Sequence, residues 1–76
     1  MFITFEFLIG SLTKEKIEVV ISTPKEAVAF VSFLETAQRV KAFKMSPYSP
    51  RDLGMAPNES FTKYRENGFT QEDYTD

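Results

Sequence analysis

The amino-acid sequence predicts a small α+β domain: a ββαβ unit whose three-stranded sheet packs on one helix, followed by an irregular C-terminal extension containing a short helix. Three observations predict it. Two runs near the N-terminus alternate apolar and polar residues with a period of two. A Thr-Pro-Lys-Glu start signal then opens a stripe of apolar residues at helical spacing. A third β-compatible run follows and stops at Pro47.

The first run covers residues 2–9. Ile3, Phe5, Phe7 and Ile9 share one face, and Phe2, Thr4, Glu6 and Leu8 the other. Its β-branched and aromatic content suits a pleated, half-buried surface. Gly10-Ser11 breaks the run, and a turn to about Lys14 leads into residues 15–22. There Ile17, Val19 and Ile21 oppose Lys16, Glu18, Val20 and Ser22. Two such runs joined by a short Gly-containing segment predict a hairpin. Glu6 falls on the face of Lys16 and Glu18, so a cross-strand ion pair is expected there.

Thr23-Pro24-Lys25-Glu26 predicts a helix start. The Thr23 hydroxyl is placed to accept from the third helical amide, Glu26 to reach back to the Thr23 amide, and Pro24 loses no bond at the first helical position. Ala27, Phe30, Val31, Leu34 and Ala37 then form one stripe, with Phe33 and Val28 on its flanks. Continued to residue 45, the helix would carry Lys41 at the centre of this stripe and Phe43 into water. The period therefore ends near Gln38-Arg39, and residues 40–46 read as a third strand. Which side of that strand is buried is ambiguous, because Val40 and Ala42 compete with Phe43 and Met45. A right-handed crossover places this strand beside the first, parallel to the second and antiparallel to the first.

From Ser46 onward Pro47, Pro50 and Pro57 punctuate the chain. Asn58 is a candidate cap and Gly68 a candidate stop for one or two helical turns that put Phe61, Tyr64 and Arg65 on one side. The division is thus a core at 1–46 and an aromatic, acidic extension at 47–76. The extension either belongs to the same domain or wraps a partner.

Composition narrows function by exclusion. The 76 residues contain no Cys and no His. A disulfide framework, a thiolate metal site and the commonest neutral-pH general base are all missing. The absence of Cys suits a reducing compartment better than a small secreted domain. Eight Phe and three Tyr supply the bulk of a core that no staple assists. Net charge is −2, with residues 1–45 at +1 and residues 46–76 at −3. The apolar N-terminus lacks a positive leader and contains Glu6, and no run approaches the ~18 apolar residues of a membrane span. The expected location is the cytoplasm, which means the host cytoplasm for a phage-encoded chain.

No catalytic, cofactor or metal motif is present. Glu6 and Glu18 share a face and form a candidate acid/base pair, but exposed strand carboxylates are common, and a solvated face with Lys16 as neighbour is the expected explanation. Glu72, Asp73 and Asp76 lack the loop that shapes a calcium site. No His activates a Ser, and the three Gly are widely separated. Arg39, Lys41, Phe43 and Lys44 interleave cations with an aromatic, a pattern that grips single-stranded nucleic acid. The acidic balance of the whole chain opposes that reading, and these cations have an acidic tail of their own to pair with.

The expected function is a non-enzymatic protein-interaction module, with a protein or a second copy of the chain as partner and no cofactor. The edge of the sheet is one contact surface. The other is the tail, through Tyr48, Leu53, Met55, Phe61, Tyr64, Phe69, Glu72, Asp73 and Tyr74. Phe2, Leu8 and Val20 on the face away from the helix need cover, from the tail or from a partner. Size and composition also match a phage- or mobile-element-encoded accessory or inhibitor protein. The alternatives are the nucleic-acid module above and a homo-oligomeric structural protein.

Overall fold

The computed structural model describes residues 1–10, 13–55 and 61–75. Strands β1 (Phe2–Ile9) and β2 (Thr13–Val20), helix α1 (Pro24–Thr36) and strand β3 (Val40–Ser46) follow one another. Two single 3₁₀ turns lie at Arg51–Leu53 and Gln71–Tyr74. The sheet order is β2-β1-β3, and β1 is antiparallel to both neighbours. This is the predicted α+β architecture with its central first strand. The second strand begins and ends two residues earlier than its alternation suggests, although Ile21 remains buried and bonded to Met1.

One helix covers one face. Ile3 and Phe5 from β1, Ala27, Val31 and Leu34 from α1, and Val40, Phe43 and Met45 from β3 form the core. Phe30 stacks on Phe5 with ring centroids 4.5 Å apart, while Phe33 on the flank of the stripe is 63% exposed.

The ambiguity over β3 resolves through a β-bulge. Leu8 pairs with Ala42 but Ile9 pairs with Val40, so Lys41 is an extra residue in the ladder. Val40 therefore faces α1 on one side of the irregularity, and Phe43 and Met45 face it on the other. A strict period of two does not allow both.

The helix start differs from expectation. Thr23 makes no side-chain cap, and the Glu26 carboxylate accepts from the Ser22 N–H at 3.3 Å instead of reaching the Thr23 amide. The Glu26 N–H donates to the Thr23 carbonyl. The far end stops where the period fails, with the Ala37 N–H donating to the Phe33 carbonyl at 2.9 Å.

The extension folds onto the core. Leu53 and Met55 join the hydrophobic cluster, and Tyr48, Phe61 and Tyr64 pack against it. A compact chain of this length should have a radius of gyration of about 11.4 Å; the value here is 11.9 Å. The helical turns expected in 58–68 do not occur at 61–68, and their candidate cap Asn58 lies outside the described residues. Residues 62–65 form a bend and a single bridge instead, because their backbone groups are taken elsewhere. Glu35 accepts from the Thr62 N–H and hydroxyl and from the Lys63 N–H, at 2.8, 2.8 and 3.1 Å. Tyr64 then bridges Phe43 in parallel fashion.

Candidate functional site

The two edges of the sheet have different fates, and the hydrogen-bond phase of the ladder shows why. The Met1 ammonium donates to the Ile21 carbonyl at 2.8 Å, and the Ile21 N–H donates to the Met1 carbonyl at 2.7 Å. Bonded and non-bonded pairs alternate along an antiparallel ladder. The pairs Ile3–Val19, Phe5–Ile17 and Phe7–Glu15 therefore carry the β1–β2 bonds. Thr4, Glu6 and Leu8 turn their backbone groups to β3 instead. On β3, this phase leaves the N–H and C=O of Phe43 pointing outward. Both are used: the Phe43 N–H donates to the Lys63 carbonyl at 2.9 Å, and the Arg65 N–H donates to the Phe43 carbonyl at 2.8 Å. The chain's own extension closes this edge.

On β2 the same phase turns the N–H and C=O groups of Lys14, Lys16, Glu18 and Val20 outward. Among the described residues no other segment pairs with them. None of Thr13–Val20 is fully buried. Ile17 is 37% exposed on the helix-side face, and Phe2 and Val20, directly paired on the opposite face, are 61% and 66% exposed. The Lys14 ammonium lies 3.8 Å from the Glu6 carboxylate across the ladder. Glu6 thus finds a diagonal cation, where the sequence had suggested Lys16, its direct neighbour in register. The acid/base candidate Glu18 stands opposite Thr4, not Glu6.

The face away from the helix is divided. Leu8 and Ala42, paired with each other, are both fully buried yet stand outside the helix-side cluster. The segment 65–75 leaves the β3 edge at Arg65 and returns to β3 where the Lys41 ammonium donates to the Thr75 carbonyl. Asp73 fixes this return. Arg65 donates from Nε to both of its carboxylate oxygens at 3.2 Å and from Nη2 to Oδ1 at 2.9 Å. The Thr70 N–H donates to Oδ2 at 2.9 Å, completing a capping box on the turn Gln71–Tyr74. The Arg65 hydrogen bonds, aided by the Thr70 amide and opposed by burial, hold the Asp73 carboxyl below its usual range. Burial first, then the Glu66 and Asp52 carboxylates, push the Tyr64 phenol above its usual range.

The tail residues singled out in the sequence separate accordingly. Leu53, Met55 and Asp73 are buried, Tyr48, Phe61, Tyr64 and Phe69 are half-buried, and Glu72 and Tyr74 are exposed. In the basic strand, Arg39 is exposed, Lys41 and Lys44 are half-buried, and Phe43 is fully buried 5.6 Å from the Tyr64 ring. Phe43 has no surface on which a base can stack. An apolar groove of about 390 Å³ runs between β1 and the second half of α1, floored by Phe7 and Ile9 and walled by Phe30 and Phe33. Among the described residues no group of three or more carboxylates is gathered to hold a metal ion, and no helix is long and apolar enough to cross a membrane.

Comparison with protein-family models, curated proteins and solved structures finds no match. The functional reading therefore rests on the geometry of this chain alone. The sequence pattern placed both β2 and β3 at sheet edges but did not show that the extension would close the β3 edge. It assigned no role to Glu35 or to the Arg65–Asp73 pair, whose local trace was Thr70-Gln71-Glu72-Asp73, a capping pattern without an apolar run behind it.

Proposed function

We propose that this chain is a non-enzymatic protein-binding module that takes an extended strand onto the free edge of β2. One observation supports it above the rest. The fold closes its β3 edge with its own extension, while among the described residues the eight of β2 are bonded on one side only. Main-chain bonds to Lys14, Lys16, Glu18 and Val20 supply affinity in such a complex, and side chains flanking the edge supply selectivity. The role of accessory or inhibitor protein fits a small module of this kind, with the partner's own exposed strand or extended segment as the ligand.

Glu18→Pro tests the reading. A proline is tolerated at an edge position whose N–H points out of the sheet, so the β1–β2 ladder keeps its bonds while one outward donor disappears. Displayed random peptides selected at low protein concentration serve as the probe. The expected result is binders that lose affinity for the folded Glu18→Pro variant and slow amide exchange at Lys16 and Glu18 in the parent. Binders indifferent to the substitution, with protection confined to the Phe30–Phe33 groove or to Glu72 and Tyr74, would overturn it.

A further inference from the structure

We infer that the strand received by β2 is β2 of a second copy of this chain, antiparallel to it about a two-fold axis through Ile17, so that two sheets become one of six strands. This rests on the edge reading above and names its occupant. The phase of the ladder limits the possible matches. The outward groups belong to the even-numbered residues, so an antiparallel partner must set even residues opposite even residues.

Charge then separates the registers. An axis at Lys16 sets Lys16 against itself, which offsets the two Lys14–Glu18 pairs it makes, and an axis at Glu18 sets Glu18 against itself with no opposite-charge pair beside it. An axis at Glu15 places Lys14 against Lys16 twice. An axis at Val19 shortens the overlap and leaves Lys14 and Lys16 without opposing carboxylates. The axis at Ile17 sets Lys16 opposite Glu18 of the second copy and Glu18 opposite its Lys16, both in hydrogen-bonded pairs. It also overlaps β2 from Lys14 to Val20, all but its first residue.

Apolar surface agrees with the same register. Ile17 is 37% exposed and meets its copy at the axis in a non-bonded pair, where side chains approach most closely. Val20 is 66% exposed and falls opposite Lys14 of the second copy, whose alkyl stem crosses Val20 and the neighbouring Phe2. Alternating charge on an edge ordinarily discourages pairing with a passing strand. Of these five registers, the one at Ile17 alone combines two opposite-charge pairs with no like-charge pair.

Solution mass by light scattering tests this over a dilution series reaching about 1 mM, because a short edge contact is a small interface and a weak one. The parent is expected to be a dimer that dissociates on dilution. Glu18→Lys and Lys16→Glu each convert two attractive pairs into two repulsive ones and should weaken association about tenfold or more. An equimolar mixture of the two variants should recover a heterodimer, since both cross-pairs are then complementary. Circular dichroism identical to the parent's shows that each variant is folded. A parent that stays monomeric at about 1 mM overturns the inference, as does a dimer that neither variant weakens. In those cases the peptide experiment decides separately whether β2 receives a strand from another protein, so loss of the second-copy inference leaves the edge reading standing or falling on its own result.

Discussion

Asp73→Ala reports whether the extension is part of the folded unit on which the whole edge argument depends. Asp73 is 5% exposed and takes three bonds from Arg65 besides the Thr70 amide. Removing one partner of a buried ion pair costs about 3–5 kcal/mol, because the other charge is left uncompensated. Arg65 softens this. Its side chain is 29% exposed, and Nη1 keeps the Thr62 and Tyr64 carbonyls at 2.8 and 3.2 Å. The discounted pair, together with the lost cap, comes to about 2–3 kcal/mol. A chain of this size is stable by roughly 4–11 kcal/mol in all. The variant should therefore lose a large share, seen as a melting temperature lower by about 10–20 °C. Urea unfolding of the parent, Asp73→Ala, Arg65→Met and the double variant gives the coupling directly. A single transition in all four, with non-additive losses at the pair, is the expected result. An Asp73→Ala melting curve that overlays the parent's would refute the reasoning, because it would mean that residues 65–75 contribute nothing to the cooperative fold.

Two further outcomes follow from the same anchoring. The Asp73 carboxyl titrates below its ordinary value in the folded chain, so the unfolded chain takes up its proton first as acid is added. The stability due to this group is complete above the unfolded pKa of about 3.9 and is lost as pH falls through the folded value. Urea midpoints measured down the acid limb should fall less steeply in Asp73→Ala than in the parent. Glu35→Ala removes the acceptor of three bonds from Thr62 and Lys63 and should lower stability by about 1–3 kcal/mol. Faster amide exchange at Phe43 and Arg65 is the local sign to look for, since those bonds close the β3 edge.

The sequence foretold the core elements because each has a local cause. Alternation wrote β1 and β2, Pro24 and the apolar stripe wrote α1, and the misplacement of Lys41 and Phe43 on a longer helix ended it near Arg39. The bulge was not legible, since an extra residue in one strand is defined by the register of its neighbour. Lys41 looked like a strand residue of uncertain face because it belongs to neither alternation. The anchors of the extension were hidden for a different reason. Glu35 acts 27 residues along the chain on Thr62, and nothing beside either residue records the other. Leu53 and Met55 showed that the extension had something to bury, but not whether its own core or a partner would bury it.

The unequal treatment of the two edges follows from what each would do uncovered. Val40–Ser46 carries Val, Ala, Phe and Met, with Lys41 displaced into the bulge, and a bare edge on such a strand would pair with any similar segment it met. The extension takes that edge through Phe43, at the middle of the strand, where two main-chain bonds suffice to bar a longer ladder. Thr13–Val20 presents Lys, Glu, Lys and Glu before its Val pair, and its monomer is held apart from chance partners by those charges. An edge that is both open, among the described residues, and guarded by charge is the one we propose receives a specific strand. On the proposed reading, a partner would gain the outward amides only by matching the charges beside them, which would make selectivity a condition of binding instead of an addition to it.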